Sequence, residues 1–393
     1  MSSLNLEADV GWHACLEDLV GVATRLGDRV RDAGDSEGEA DIAVKMFGAI
    51  MGAYLTHLWA EPEHPSFLPS VGYYQMYGWP NPDTVYRNAA VDGVGEYRIS
   101  GHRGSVPDVT IMPFGGPTAA GLQTFAPFDF DDLAIEDDGT FEVTLSPERP
   151  AAARNWWRLE PEMRTLMLRS VSDEWGVHVE PRVAIVRLDI DPRRARVDPD
   201  AVRRRFRSYA AVVEGMVVSG LTRFAQLRAD DVVNRLVTVD YSATGGLADQ
   251  WYQEGCFELR DDEALVLEAQ LPTDLRAFSL SLTDRYFSTI DWANAQSSLN
   301  RHQAAIDGHG VLRAVVAATD PGVHNWLDTT GHRSGSLQCR WSGGTECPEV
   351  SVRRVALASL ERMFPAEVAR VTPEQRAAAV RARQIGVQLR SRW

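Results

Sequence analysis

Cysteine is scarce in this sequence. Its 393 residues hold four, Cys15, Cys256, Cys339 and Cys347, and no two form a C-x-x-C pair. That excludes the usual structural zinc spacings and a dense disulfide framework. Free thiols are the expectation, and with them a reducing, cytoplasmic environment. Long apolar runs are missing too, none approaching the ~20 residues a spanning helix needs. The opening MSSLNLEADVGWHACLEDL carries acids where a secretory leader needs an apolar stretch. No membrane association is expected. Positive charge is in deficit, the formal net charge being −15. Phosphate backbones recruit Lys and Arg in excess, so nucleic acid is not an expected partner. The G-x-S-x-G elbow, the Walker loop, G-x-G-x-x-G and H-E-x-x-H are all absent from the sequence. Nucleotide, dinucleotide and zinc-protease readings lose their motifs, and no cofactor is expected.

Two arginine-rich segments do not change this. From Arg187 to Arg207, Asp189, Asp191, Asp198 and Asp200 are interleaved, the composition of a solvated face and not of a nucleic-acid platform. The arginines from Arg370 to Arg392 are likewise expected on a solvated helix, whose C-terminus favours cations.

What the sequence does contain is a repeat. DDGTFEVTLSPERPAAARNWWRLEPEMRTLMLRS starts at Asp137, and DGHGVLRAVVAATDPGVHNWLDTTGHRSGSLQCRW starts at Asp307. Each has an Asp/Gly turn, a strand-like run, a Pro-bearing loop, an Asn-Trp pair and a short strand ending in Arg. Asn155 aligns with Asn325, and Arg169 with Arg340, at nearly equal offsets. Alternating runs punctuated by Gly and Pro every ~8–12 residues read as sandwich or barrel strands. The chain is also too long for one ordinary core. The predicted fold class is mainly β with helical additions: two tandem β-sandwich or jelly-roll-like modules at 75–197 and 233–351. A helical region at 1–74, a linking helix at 198–232 and C-terminal helices at 352–393 complete the expected order. Residues 7–33 read as an amphipathic helix. Phe47, Ile50, Met51, Tyr54, Leu55 and Leu58 have the spacing of one apolar helix face. Asp198-Pro199 supplies an N-cap and first turn, and Thr372-Pro373-Glu374-Gln375 a capping box.

The second module resembles the bacterial domain-of-unknown-function 1214 family. The resemblance rests on AFSLSLTDRYFS, the Asn300 region, DGHGVL, and HNWLDTTG with its following strand and Arg340. NPDTVYRNAAVDGVGEYRISG looks like the partner motif that precedes such domains. The resemblance covers most of residues 75–390 and implies sandwich or jelly-roll modules with helical additions, and no mechanism. Asp328 departs from it, standing where the family pattern has proline after Asn-Trp-Leu.

Candidate chemistry concentrates between Tyr286 and Arg340, in Asp291, Asn294, Asn300, Arg301, His302, His324, Asn325, Asp328 and His332. His324, Asp328 and His332 follow one another at four-residue steps. An Asp between two imidazoles makes an acid–base site or, with a further ligand, a metal site. Three convergent ligands are needed for the latter, so no metal is expected. The first module keeps Asn155, Trp156 and Arg169 but lacks these three residues, its matching stretch being RNWWRLEPEMR. The shared Asn-Trp and Arg therefore read as scaffold, and the unshared His324, Asp328 and His332 as catalytic. Asn300 and Arg340 read as orienting groups, with Asp291, Asn294 and His302 beside the substrate. A second polar cluster, Asn81, Asp83, Tyr86 and Arg87, is placed with them. The aromatics Tyr73, Tyr74, Tyr77 and Trp79 crowd upstream of it as walls for an apolar or alicyclic ligand. The functional expectation is a cytoplasmic enzyme doing cofactor-independent acid–base chemistry (elimination, isomerisation, cyclisation or hydrolysis) on a small, largely apolar metabolite. A non-catalytic carbohydrate- or lipid-binding module and a structural or assembly protein stay open. So does a homo-oligomer.

Overall fold

A computed structural model describes residues 10–32, 38–76, 78–118, 121–242, 245–247 and 249–391. Two β-sandwiches follow one another along the chain, as the repeat predicts. The first is built from β1 (Leu68–Pro69), β2 (Thr84–Ala90), β3 (Tyr97–His102), β4 (Asp108–Thr118), β5 (Gly121–Thr124), β6 (Phe128–Asp129), β7 (Thr140–Ser146), β8 (Trp156–Arg158), β9 (Thr165–Val171) and β10 (Arg182–Arg187). Its larger sheet runs β1-β2-β9-β4-β5, with β6 also on β4; the smaller runs β10-β3-β7-β8. Ile99, Ile111, Val143, Leu145, Leu166 and Leu168 interlock between the two sheets.

The second sandwich uses β11 (Val237–Val239), β12 (Gln250–Glu258), β13 (Glu263–Gln270), β14 (Leu275–Asp284), β15 (Ser298–Asn300), β16 (Val311–Ala317), β17 (Trp326–Asp328), β18 (Ser334–Gly343) and β19 (Val350–Ala356). Its sheets are β11-β12-β18-β14-β15 and β17-β16-β13-β19. The two modules share a topology: β2, β9 and β4 of one correspond to β12, β18 and β14 of the other. The expected helix from residue 352 is corrected here, because Val350, Val352 and Val355 pair as β19 along β13.

The repeated Asn-Trp pair explains itself. Asn155 accepts the Ala134 amide and donates to the carbonyls of Ala134 and Glu142. Asn325 makes the same three bonds, to Ala305 N–H and to the carbonyls of Ala305 and Arg313. Each asparagine closes a parallel two-strand step, β7 with β8 and β16 with β17. Both are scaffold. Asn155→Ala and Asn325→Ala are each expected to cost about 1–3 kcal/mol, because backbone groups lose their partners. Urea midpoints measure this, and a neutral result for either would break the equivalence of the modules.

Helices α1 (Trp12–Asp32), α2 (Gly38–Ala53, continued as a π-helical turn Tyr54–Trp59) and α3 (Pro199–Ala229) pack together through Val22, Leu26, Met46, Ala49, Val213 and Val217. Asp198 caps α3 as its sequence predicts. The predicted apolar face of α2 packs only in part: Ile50 and Leu58 lie against the helical core, but Phe47 is 70% exposed and Met51 40%, while Ile42, Met46, Ala49 and Ala53 are buried. Gly38–Trp59 is long and apolar enough to cross a membrane by length and composition, contrary to the expectation that no stretch approaches that. Its apolarity arises because it carries apolar residues on both its packed and its outward faces. The C-terminal region supplies α4 (Leu360–Met363) and α5 (Pro373–Leu389), the latter opened by the expected Thr372–Gln375 capping box.

The arginines of the Arg370–Arg392 segment divide: Arg370 and Arg381 are exposed as expected, and three others are not. Arg376, Arg383 and Arg390 recur at two-turn spacing on the inner side of α5 and are 8%, 6% and 5% exposed. Arg376 binds Asp320, Gln296 and the Val323 carbonyl. Arg383 binds the Trp292 carbonyl, Gln303 and Ser298. Arg390, just past the helix, crosses to the first module and pairs with Glu180. The helix fastens one sandwich to the other. Arg392 lies outside the described residues. In the Arg187–Arg207 segment the interleaved acids pair as expected, Arg187 with Asp189 and Arg193 with Asp191.

Candidate functional site

Side chains alternate across a strand. β18 sends Leu337, Cys339 and Trp341 into its own sandwich core, so Ser336, Gln338 and Arg340 point the other way. These three are nonetheless 0%, 3% and 7% exposed. In β9, Leu166 and Leu168 enter the first core while Arg169 faces outward. The outer faces of the two large sheets lie against each other, and between them runs a polar cleft. One compartment holds about 230 Å³, walled by Tyr86 and Arg169 of the first module, Tyr252, Gln338 and Arg340 of the second, and Trp79. A second compartment of about 430 Å³ adjoins it, the two sharing Asn81, Asp108, Val171, Leu247, Gln250 and Ser342.

The modules contribute equivalent rows. Tyr86 pairs across strands with Arg169, and Thr110 stands on Arg169's other side. Tyr252 pairs with Arg340, and Ser279 on its other side. A repeat-related Tyr-Arg pair thus enters one cavity from each side. Arg169 donates to the Gly245 carbonyl at 2.7 Å. Arg340 donates to Ser281 Oγ at 3.3 Å and the Trp79 carbonyl at 3.1 Å. Among the described residues, neither guanidinium has a carboxylate within 4.0 Å. Among the described residues, Arg169 Nε, Trp79 Nε1 and Gln338 Oε1 are buried without a hydrogen-bond partner. Burying a guanidinium without a counter-charge is costly, so this compartment has the character of an anion site.

Backbone strain gathers at the same place. Trp79 has φ 57° and Phe287 φ 67°, left-handed conformations uncommon for bulky residues. Their rings meet edge to face, centroids 4.3 Å apart, on the cavity wall. Burial pushes the Tyr252 hydroxyl pKa upward, opposed by its bond to the Leu247 amide and by Arg340 and Arg169. On the shared wall, burial and then nearby Asp129 raise the Asp108 carboxyl, with Arg276 pulling the other way.

The sequence-predicted residues divide. Asn81, Tyr86 and Arg340 line the first compartment, and Asp83 the second with Asn81. Asp83 accepts from Trp175 Nε1 at 2.8 Å and Asn300 Nδ2 at 2.7 Å. Asn300 is therefore a support for Asp83, itself only 1% exposed. Arg87 is buried elsewhere, donating to the Pro181 carbonyl. Asp291 and Asn294 form a turn, Asp291 accepting the amides of Ala293 and Asn294; Asn294 also donates to Tyr73. Trp79 is a wall of the cleft as its aromatic crowding suggests, Tyr73 packs edge-on to Trp292, and Tyr77 lies outside the described residues.

The proposed catalytic group does not assemble. His324 turns to the Gln303 carbonyl at 2.9 Å. Asp328 accepts the Thr330 amide at 2.7 Å. His332 Nδ1 stands 4.0 Å from Asp41 of α2, beside a buried Lys45 whose pKa is lowered to about 8, chiefly by burial. The reason is geometric: Trp326–Asp328 is strand and carries Asp328 away from His324, while the chain turns at Thr330–Gly331 and Asp328 is spent on the Thr330 amide inside that turn. His302 and His324 share only a groove beside α5, about 520 Å³ in volume, where His302 Nδ1 lies 3.9 Å from Glu174. Among the described residues, no three His, Cys, Asp or Glu side chains are placed to hold a metal ion together. Sequence reasoning missed Arg169, Tyr252, Gln338 and Asp108. A signal was present in SLQCRWS, where large polar residues alternate with core residues on a strand that has no solvent face.

No family model matches the chain, and no curated protein matches it. The crystal structure of an uncharacterized protein from Burkholderia cenocepacia is similar over 89% of this chain and 99% of its own, with 28% identity and a TM-score of 0.82. The fold therefore recurs over most of the chain in a solved structure. The VPA0106 protein from Vibrio parahaemolyticus aligns with 80% of this chain and 98% of its own at 14% identity, with a TM-score of 0.44, and carries no argument.

Proposed function

We propose that the protein is an enzyme acting by acid–base chemistry on a small molecule with an apolar body and an anionic group, held in the cleft between the modules. One observation carries this reading: Arg169 and Arg340 enter the same cavity without a carboxylate partner among the described residues. An anion there restores the compensation both guanidiniums lack, and paired arginines suit planar carboxylate or phosphate oxygens. Trp79 and Phe287 wall the apolar body. Asp108, its pKa raised and its carboxyl on the wall of both compartments, is the group suited to hand over or take a proton. This moves the proton-transfer role from the Asn-Trp loop of the second module to the junction of both. Placement in the domain-of-unknown-function 1214 family and in the cytoplasm belongs to the same proposal, supported by the motifs of the second module and by the scattered thiols.

The test is a thermal-shift screen with carboxylated, phosphorylated and neutral metabolites, followed by turnover measurements on the compounds that bind. Saturating ligand at a hundred times Kd stabilises a fold by about 2.7 kcal/mol. Anionic compounds should raise Tm and their neutral amides should not. Asp108→Asn should lose turnover while anionic compounds still bind measurably through the arginines. Binding without turnover by the native protein would select a binding module instead, and stabilisation by neutral compounds alone would remove the anion site.

A further inference from the structure

We infer that the ligand of this cleft is bipolar, carrying an ammonium group at the end opposite its anion. The inference rests on the anion-site reading above and extends it into the second compartment. Asp83, Asp108, Asp129, Asp131, Asp173 and Asp249 line that compartment, Asp83 being held by Trp175 and Asn300, and among the described residues Arg276 is the one basic residue on its wall. Arg276 is taken by Asp249, and Asp131 lies 3.4 Å from Arg103. Among the described residues, Asp108, Asp129 and Asp173 have no basic group within 4.0 Å.

An acidic wall alone is common on proteins of negative net charge. Here a second observation points to an occupant. Thr110, on the same wall, is 7% exposed, and its hydroxyl oxygen is buried with no partner among the described residues. Its counterpart by repeat, Ser279, spends its hydroxyl on Asn81 at 3.0 Å. A hydroxyl that can accept, beside carboxylates lacking counter-charge, is the environment of an N–H donor bearing positive charge. The described residues place no three ligating side chains to enclose a metal ion, so the fit is to a diffuse organic cation. Val171 and Leu247 form the apolar part of the shared wall, across which the body of such a molecule would lie. The arginine end and the aspartate end also fix its direction, which a single charged end would leave undetermined.

The experiment is calorimetric titration of the full chain with 3-phenylpropionate and with its para-aminomethyl derivative, which differ by one ammonium at the far end. Native protein, Asp108→Asn and Arg340→Met are compared, with circular dichroism to verify folding and Asp173→Asn as a second acidic variant. The amino derivative should bind the native protein roughly tenfold tighter than the parent acid. The advantage should shrink to about twofold or less in an acidic variant. Equal or weaker binding of the amine to native protein overturns the bipolar ligand. If Arg340→Met still weakens the parent acid in that case, the anion site stands without it. Binding indifferent to Arg340, or no saturable binding of either compound at millimolar concentration, overturns both.

Discussion

Arg390→Met is expected to destabilise the protein by about 3–5 kcal/mol, the cost of leaving one partner of a buried ion pair alone. Arg390 and Glu180 meet at 2.6 Å with both side chains 2% exposed. Each nitrogen of the guanidinium donates: Nε to Glu180, Nη1 to the Pro82 carbonyl at 3.2 Å, and Nη2 to the Ser170 carbonyl at 3.3 Å. Glu180 is also bound by Ser170 Oγ. Removing Arg390 strands the carboxylate in the interior and cuts the tie between the C-terminal helix and the first module. Arg390→Met combined with Glu180→Gln should recover part of the loss, since no charge is then buried unpaired. Chemical denaturation of the three variants measures both effects. A loss under 1 kcal/mol in Arg390→Met would show that the helix is held through Arg376 and Arg383 alone.

Local signals were legible and non-local ones were not. The Asn-Trp repeat, the caps at Asp198 and Thr372 and the alternating strands are short-range patterns, and each folds as its own few residues require. The helix face was misread because α2 is apolar nearly all round, so periodicity could not say that Met46 and Ala49 pack while Phe47 and Met51 stay outside. His324, Asp328 and His332 stay apart because a four-residue spacing brings side chains together only in a helix, whereas here a strand and then a turn lie between them. The cleft is legible only in part. Asn81, Asp83, Tyr86, Trp79 and Arg340 carry expected binding roles and do line it, but the reading of repeated residues as scaffold, right for Asn155 and Asn325, hides Arg169. Arg169 and Arg340 repeat as well, yet their side chains leave their sandwiches and converge at the junction. That convergence depends on how the two large sheets pack, which no local pattern states.

Arg340→Met should weaken binding of an anionic ligand by roughly 30- to 5,000-fold, the 2–5 kcal/mol range of a truncated buried charge partner. Arg169→Met should have the same direction, since the two guanidiniums serve one cavity. The ligand-free protein should respond quite differently from the Arg390 variant. Arg340 has neutral oxygens as its partners, so methionine gives up those bonds but also relieves an unpaired buried charge. The two changes offset, and the free protein should shift by less than about 1 kcal/mol in either direction. This contrast separates a guanidinium held for a ligand from one held for the fold. Arg390, paired with Glu180, gives large destabilisation; Arg340, facing the cavity, gives lost binding at near-constant stability. A loss of several kcal/mol in ligand-free Arg340→Met would assign that arginine to the junction itself, and the cleft would lose its claim as an anion site.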